Sequence, residues 1–221
     1  MKHREGAFVP ALGWRVLTPL YDGVIRVMTR ERIWRGALLD QIAPKPGELI
    51  LDVGCGTGTL AILIKARTPS AHVVGLDPDP DVLARAAAKA RAAGVEIEWR
   101  RGFARDAATL GRTFDKAMSS VVFHQVPVAE KEAGIAAMAN AVHPGGEVHI
   151  ADFARQRSQV MRTLFGIVGR VDGRENTKPN ADGALEQIIG EYDPGAAEPK
   201  RVVPTPLGEI SLFMWRTPDE V

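Results

Sequence analysis

Short apolar runs alternate with helix-forming segments from residue 48 to residue 153 of this chain. The first run, residues 49–53, carries four large aliphatic side chains and leads into a glycine-rich turn, after which residues 60–67 contain neither glycine nor proline. This order predicts a strand, a turn and a helix. A second apolar run, residues 71–77, ends in the acid Asp77. Repeated strand–helix–strand units predict an α/β domain with a mostly parallel sheet and right-handed crossovers.

The same alternation continues toward residue 153. Proline and aspartate residues at 78–81 stop the second strand and cap a helix, which ends at Gly94. The later predicted elements are a helix at 82–93, a strand at 95–99, a strand with its exit at 113–126, a helix at 130–142, a Pro-Gly-Gly turn at 144–146 and a strand at 147–153. The pattern thus predicts five strands before the last third of the chain.

The last third is predicted to complete the sheet. Two strands joined by a short turn at residues 205–208 indicate a hairpin. Polar, turn-forming residues at 172–180 predict a surface loop near the mouth of a substrate site. The remaining predicted elements are helices at 158–168 and 184–192 and strands at 201–204 and 209–215.

An apolar stripe at helical spacing precedes the first strand. Residues 10–42 predict two helices, and the first of them carries the stripe. Its members are Trp14, Leu17, Tyr21, Ile25 and Met28. We expect residues 1–45 to form a helical lid over a site. Any surface helix has such a stripe, so the alternative that Tyr21 only packs on the core stays open.

Composition favours one domain, residues 1–221, with a large core. The chain has 45% hydrophobic residues, and its 28 basic and 27 acidic residues nearly balance, so nucleic acid binding is not expected. No segment has the apolar length of a signal peptide or a membrane span, which predicts a cytoplasmic protein. The single cysteine, Cys55, lies in the glycine-rich turn, where we expect it to pack as a small residue.

The spacing of the glycines separates two classes of cofactor. Dinucleotide-binding proteins place a third glycine where the helix packs on the strand, but Gly54 and Gly56 put Thr59 at that position. A shifted frame, residues 56–61, matches the variant that ends in alanine, but it leaves Gly54 unused. An NAD-dependent oxidoreductase therefore stays open as an alternative that the spacing disfavours.

The pattern Asp-x-Gly-x-Gly-x-Gly at residues 52–58 resembles the first motif of class I S-adenosylmethionine (SAM) methyltransferases. The later segments follow in the order of that family up to residue 153. The resemblance implies a Rossmann-like fold whose seven-stranded sheet is mostly parallel, with an antiparallel strand in the C-terminal hairpin. It divides the domain into a helical lid (1–45), a SAM-binding core (46–153) and substrate-side helices with the terminal hairpin (154–221).

The resemblance also implies which residues bind SAM and its product S-adenosylhomocysteine (SAH). Tyr21, followed by Asp22, resembles the Tyr-Asp pair of the UbiE-like group of quinone-biosynthesis methyltransferases, in which the aromatic ring lies over the cofactor. Asp77 is expected to accept hydrogen bonds from the ribose hydroxyls, although a helix cap or a solvated turn is the alternative. Phe103 and Ala104 are expected at the adenine, unless Phe103 is ordinary core. The complete expected set is Tyr21, Asp52, Gly54, Cys55, Gly56, Gly58, Asp77, Pro78, Gly102, Phe103, Ala104 and Ser119.

Methyl transfer from a sulfonium requires alignment and exclusion of water more than an elaborate set of catalytic groups. If the acceptor must lose a proton, His124 is the first candidate for the base and Asp152 is the second. A capping or core hydrogen bond is the alternative for His124. The other histidines form no cluster with metal-ligand spacing, so no metal site is expected.

Missing motifs narrow the methyl acceptor. No Asn/Asp-Pro-Pro-aromatic motif follows the fourth strand, which argues against amino methylation of adenine or glutamine. No Pro-Cys motif follows it either, which argues against methylation of cytosine at C5. A small or amphiphilic organic acceptor remains: a quinone-like ring, a thiol, an amine or a phospholipid headgroup. With a lipid acceptor, peripheral membrane contact is possible. A SAM-binding protein without catalysis is the alternative from another functional class.

Overall fold

The computed structural model describes residues 30–219, and within them seven strands form one sheet in the order β3-β2-β1-β4-β5-β7-β6. The strands are β1 (Leu49–Val53), β2 (His72–Asp77), β3 (Glu98–Arg101), β4 (Phe114–Ser120), β5 (Val142–Phe153), β6 (Arg201–Thr205) and β7 (Gly208–Arg216). The helices are α1 (Glu31–Ile42), α2 (Thr59–Arg67), α3 (Pro80–Ala92), α4 (Val128–Ala141), α5 (Gln159–Asp172), α6 (Arg174–Asp182) and α7 (Ala184–Tyr192).

The topology confirms the predicted seven-stranded, mostly parallel sheet. Strands β1 to β5 pair in parallel, and β7 runs antiparallel to both β5 and β6. Val53 at the end of β1 lies level with Leu76 in β2 and with Ser119 in β4. The carboxyl ends of these strands therefore meet at one edge of the sheet, which is where open α/β sheets bind ligands.

Helices cover both faces of the sheet. Neighbouring residues of β1 point to opposite sides, as the period of a strand requires. Leu51 is buried with Met138 of α4 and Ile189 of α7, whereas Ile50 is buried with residues of α1, α2 and α5, including Phe165. None of the described helices combines the length and the apolar composition that crossing a membrane requires.

Helix α1 is the described part of the predicted lid, and it packs on the sheet. Its side chains Trp34, Leu38 and Ile42 are almost fully buried in the same cluster as Ile50. The first predicted helix, with Tyr21, lies outside the described residues, so a lid over the site stays a prediction.

The predicted loop at residues 172–180 was wrong, because most of this segment is helix α6. The polar side chains that resemble a turn are used for contacts with the rest of the fold. The Asn180 side-chain amide donates to the Phe153 carbonyl at 2.7 Å, and the hydroxyl of Thr177, which is buried, lies against Gly169 of α5. Tertiary contacts thus stabilise a helix that the local composition disfavours.

The predicted Pro-Gly-Gly turn is also part of a longer element. Strand β5 begins at Val142, and residues 143–146 form an irregularity between the pairs Phe114–Val142 and Lys116–Glu147. Gly145, with φ +74°, donates its amide to the carbonyl of Thr217 at 3.2 Å. These residues therefore continue the pairing toward the C-terminal strand instead of separating a helix from a new strand.

Candidate active site

The glycine-rich loop after β1 has the backbone conformation that its sequence predicts. Gly54, Gly56 and Gly58 have φ values of +67°, +53° and +71°, which favour glycine over any other residue. The amide of Gly54 donates to the carbonyl of Leu76 at 2.8 Å. The loop is thus tied to the end of β2 and turns back across the carboxyl edge of the sheet.

The three glycines differ in what a side chain would meet. A Cβ atom at Gly54 would lie 2.4 Å from Val122, and one at Gly58 would lie 2.4 Å from Trp99. A Cβ atom at Gly56 would meet nothing within 4 Å. Gly54 and Gly58 therefore serve protein packing, whereas Gly56 borders open space that a ligand can approach.

Asp52, the acid of β1, is a buried carboxylate whose charge the described residues compensate only in part. Its side chain is 1% exposed, and neither oxygen has a hydrogen bond of normal geometry within the described residues. Burial raises its pKa to about 7 and the Asp77 carboxylate raises it further, although the Arg35 guanidinium and the backbone amide of Ala61 oppose this effect. A buried anion without full compensation is costly, and a cationic ligand group would compensate it.

Asp77, at the end of β2, organises the loop. One of its oxygens accepts from the amide of Gly56 and the other from the amide of Asp79, both at 3.0 Å. Burial raises its pKa, and these two amides oppose the shift. Each carboxylate oxygen has two acceptor sites, so Asp77 keeps the capacity to bind ligand hydroxyls. Asp79 caps α3, as residues 78–81 predict, and its side chain accepts from the amides of Asp81 and Val82.

The other expected cofactor residues lie along the same edge in different environments. The amide of Gly102 donates to the carbonyl of Asp77 at 3.2 Å, which brings Pro78, Gly102, Phe103 and Ala104 together. The Arg105 guanidinium lies 4.4 Å from the Phe103 ring centroid.

Cys55 and Ser119 of the expected set are also buried. The Cys55 thiol faces Gly75, and burial raises its pKa, so it packs as an inert small residue. Ser119 is fully buried, and its hydroxyl has no partner within the described residues.

The structure brings the two candidate catalytic residues together. His124 follows β4, and its Nδ1 lies 2.7 Å from Asp152 at the end of β5. The second oxygen of Asp152 accepts from the amides of Val122 and Phe123, at 2.9 and 2.6 Å. Asp152 therefore holds the turn after β4 in place as well as the imidazole.

His124 has a second carboxylate neighbour, which the sequence did not indicate. Its Nε2 lies 3.4 Å from Asp172, the last residue of α5. Burial lowers the pKa of His124, but Asp152 and Asp172 together outweigh it and raise the pKa to about 9. An imidazole that faces two carboxylates is held as imidazolium, which has no lone pair to accept a proton. The base role of His124 stays a prediction, and this geometry argues for a structural role.

Two further residues that sequence reasoning missed fix the turn after β4. Lys131 of α4 is fully buried and donates to the carbonyls of Val126 and Asn176, the latter at 3.0 Å. The Asn176 amide in turn donates to the carbonyl of Gln125 at 3.0 Å. The sequence does contain a signal that Lys131 is buried. Lys131 lies four and seven residues before the buried Ile135 and Met138, and therefore on the apolar face of the helix.

The residues at this edge fit SAM. Asp52, whose charge is compensated only in part, can face a cationic group, Gly56 leaves space for close approach, and Asp77 can accept from vicinal hydroxyls. Among residues 30–219, no group of three or more histidine, cysteine or acidic side chains could hold a metal ion.

Comparison with known proteins identifies the family. A family model described as a methyltransferase domain matches residues 50–146. A demethylmenaquinone methyltransferase from Thermus thermophilus is 31% identical over 178 residues, which are 80% of this chain and 78% of that protein. A ubiquinone biosynthesis O-methyltransferase from Rhizobium etli is 34% identical over 128 residues. That alignment covers 57% of this chain, which spans only half the length of the second relative.

Solved structures agree on the fold. A magnesium protoporphyrin IX methyltransferase from Synechocystis with bound SAH superimposes with a TM-score of 0.67, covering 92% of this chain and 90% of that one at 19% identity. At this identity the likeness concerns the fold alone. The aligned relatives, which are named methyltransferases, disfavour the oxidoreductase and binding-only alternatives. The chain belongs to the class I SAM-dependent methyltransferases of the UbiE-like kind, enzymes that transfer the methyl group of SAM to a small molecule.

Proposed function

We propose that the acceptor is the ring of a hydroquinone and that the methyl group goes to a ring carbon. The observation that carries the proposal is the alignment with the Thermus thermophilus demethylmenaquinone methyltransferase, which extends over 80% of this chain. This alignment includes more of the chain than the alignment with the O-methyltransferase from Rhizobium etli. The longer alignment therefore favours a ring carbon over a hydroxyl oxygen as the accepting atom.

We further propose that the carboxyl edge of the sheet binds the cofactor. When bound, SAM supplies a methyl group on a positively charged sulfur, which needs no further activation. Asp52 would neutralise the cationic methionine portion, and Asp77 would hold the ribose. The backbone around Gly56 would line the space that the cofactor occupies. Phe103 and Ala104, next to Asp77, would pack against the adenine. The buried charge of Asp52 supports this assignment, because the described residues compensate it only in part.

The acceptor side of the site would work by alignment. Effective molarities of about 10⁵ to 10⁸ M are available from orientation alone. Residues 119–124 leave β4 beside the loop, and Asp152, His124 and Lys131 fix this turn by hydrogen bonds. We propose that His124 and Asp152 position the turn and that neither acts as the base. The ring carbon would form its bond to the methyl group as the bond from the sulfur to that group breaks, and the proton that the hydroquinone loses would go to water.

The test is a turnover assay with the purified protein, SAM and a demethylated naphthohydroquinone with a short side chain, kept reduced under anaerobic conditions. Mass spectrometry should detect a singly methylated product, and NMR should place the methyl group on a ring carbon. The control is Asp52→Asn, which is nearly isosteric and removes the charge, and which should turn over at a strongly reduced rate.

The assay includes a catechol, a thiol and phosphatidylethanolamine vesicles as competing acceptors. Methylation of a hydroxyl oxygen would contradict the carbon assignment, and turnover of the thiol or the amine alone would contradict the hydroquinone class. SAH binding without turnover of any acceptor would support a binding protein that lacks catalysis.

A further inference from the structure

Helix α5 ends in an acid at the position where a helix favours a base. Asp172 is its last residue, so the carboxylate lies at the negative end of the helix dipole. The Asp172 side chain is only 15% exposed, and among the residues that the structure describes its one ion-pair partner is His124, with 3.4 Å between Oδ2 and Nε2. The contact with His124 therefore compensates a charge that α5 itself disfavours.

The chain turns sharply directly after Asp172. Gly173, with φ +88°, is the single residue between α5 and α6. Its carbonyl accepts from the amide of Thr177 at 3.1 Å, and a Cβ atom at Gly169 would lie 2.8 Å from the Thr177 hydroxyl. The end of α5 and the start of α6 are thus packed together, and we call residues 169–177 the α5–α6 corner.

The α5–α6 corner is tied to the turn after β4 by more than one contact. The Asn176 side-chain amide donates to the carbonyl of Gln125 at 3.0 Å, and the Asn176 carbonyl accepts from Lys131 at 3.0 Å. Lys131 also donates to the carbonyl of Val126. Together with the ion pair of Asp172, these bonds hold residues 124–126 from the side of α5 and α6.

The turn needs such support, because its backbone is strained. Val121, the first residue after β4, has φ +58°, which is a genuine outlier for a β-branched residue. Its amide donates to the carbonyl of Ala151 at 2.8 Å, and Asp152 accepts from the next two amides. Strained backbone of this kind persists only where its surroundings hold it, and it is typical of functional sites.

The strained turn also borders the glycine-rich loop. The side chain of Val122 lies so close to Gly54 that a Cβ atom there would be 2.4 Å from it. A shift of the turn would therefore displace atoms that lie beside the loop at the carboxyl edge of the sheet.

We propose that Asp172 is a positioning residue for methyl transfer. It acts through His124: the ion pair fixes the strained turn to the α5–α6 corner, while β5 fixes the same turn through Asp152. An acceptor beside the turn is then aligned with the methyl group. The inference rests on the proposed function, which places the acceptor beside this turn.

The test begins with Asp172→Asn, which is nearly isosteric and removes the charge. We expect kcat with the hydroquinone to fall about tenfold, because a misplacement of about 1 Å can cost about 10²-fold. The KM for the hydroquinone should change less than kcat, and the affinity for SAH, measured by calorimetry, should be unchanged. Hydrogen–deuterium exchange followed by mass spectrometry should show faster exchange of the amides at residues 121–126.

The matched control is Asp182→Asn, which removes the acid at the end of α6. Asp182 pairs with Arg162 and Lys178 at the surface and has no contact with the turn. This variant should keep the wild-type kcat and the wild-type exchange at residues 121–126. In a His124→Gln background, Asp172→Asn should cause no further loss of kcat, because its partner is already absent.

Three results would overturn the proposal. They are wild-type kcat and exchange in Asp172→Asn, an equal loss of kcat in Asp182→Asn, and an undiminished effect of Asp172→Asn in the His124→Gln background. A failure of the proposed function looks different. If the wild type methylates no hydroquinone, the proposed acceptor is wrong, whereas the exchange at residues 121–126 still decides whether Asp172 holds the turn.

Discussion

Each edge of the sheet buries a charged side chain, and the two charges are compensated very differently. At the amino edge, Lys116 of β4 is 5% exposed at its side chain and lies 3.2 Å from Glu48 and 3.4 Å from Glu147. It also donates to the carbonyls of Ile42 and Ala43 at the end of α1. At the carboxyl edge, Asp52 of β1 is just as buried and has no hydrogen bond of normal geometry at either oxygen within the described residues.

We propose that this difference separates a charge that belongs to the fold from a charge that a ligand compensates. A buried charge that is paired and hydrogen-bonded belongs to the fold, whereas one that is compensated only in part raises the energy of the free protein. The charge of Lys116 at the amino edge is compensated by groups of the protein itself. At the carboxyl edge, the Arg35 guanidinium compensates the Asp52 carboxylate only in part, and we propose that the methionine portion of SAM supplies the remaining positive charge.

The largest expected effect is on stability at the amino edge. Lys116→Met should lower the free energy of unfolding by about 3 to 5 kcal/mol, because removing one partner of a buried pair leaves the others uncompensated. Denaturant unfolding measures this loss. Binding of SAH, measured under conditions where the variant is folded, should be unchanged. A large loss of SAH affinity would contradict the separation of the two edges.

At the carboxyl edge, Asp77→Ala should weaken SAH binding. Each lost charge-assisted hydrogen bond contributes roughly 1.5 to 3 kcal/mol, and the loop also loses the acceptor of the Gly56 amide. Asp77→Asn retains one side-chain oxygen acceptor and is the matched control. Titration calorimetry should rank affinity as wild type, then Asp77→Asn, then Asp77→Ala. An unchanged dissociation constant in both variants would leave Asp77 as a strand terminator only.

The three loop glycines should divide between folding and binding. An alanine at each costs about 1 to 2 kcal/mol for the left-handed backbone. Gly54→Ala and Gly58→Ala should lose more stability than this, because their new methyl groups would meet Val122 and Trp99. Gly56→Ala should lose the least stability and still bind SAH poorly. If Gly56→Ala binds SAH as the wild type does, the ligand does not occupy the space beside Gly56.

Whether the sequence predicts a feature depends on how far apart in the chain its contacting residues lie. The loop and Asp77 depend on residues close in sequence and on strands that end side by side, so local patterns were sufficient. The proximity of His124 and Asp152 follows from the same adjacency of strand ends. Helix α6 depends on Asn176 and Asn180 reaching the turn after β4 and the end of β5, and residue spacing carries no signal for that.

The smallest expected effects concern the pH dependence that His124 gives to stability and to turnover. The pKa of His124 is raised to about 9 from an ordinary 6.5, so its stabilisation is complete below about pH 6.5 and is lost as the pH rises through 9. His124→Gln should therefore destabilise the protein more at pH 6 than at pH 10, as unfolding at the two pH values measures.

If His124 only positions the turn, the acid limb of the pH–rate profile should be the same in the wild type and in His124→Gln. A general base would contribute about 10² to 10⁴ in turnover number. A loss of that size, together with the disappearance of an acid limb near neutrality, would restore the base role of His124 and contradict the structural one.

A titration of Asp52 shows whether its carboxylate is compensated by the cofactor. The pKa of the Asp52 carboxyl group can be followed by ¹³C NMR in the free protein and with SAH, using Asp52→Asn to assign the signal. We expect a pKa near 7 in the free protein, so that stability falls as the pH rises from about 3.8 toward 7. With SAH we expect a much lower pKa, because the ammonium group of SAH favours the carboxylate. An Asp52 pKa that is the same with and without saturating SAH would show that this carboxylate does not face the cofactor.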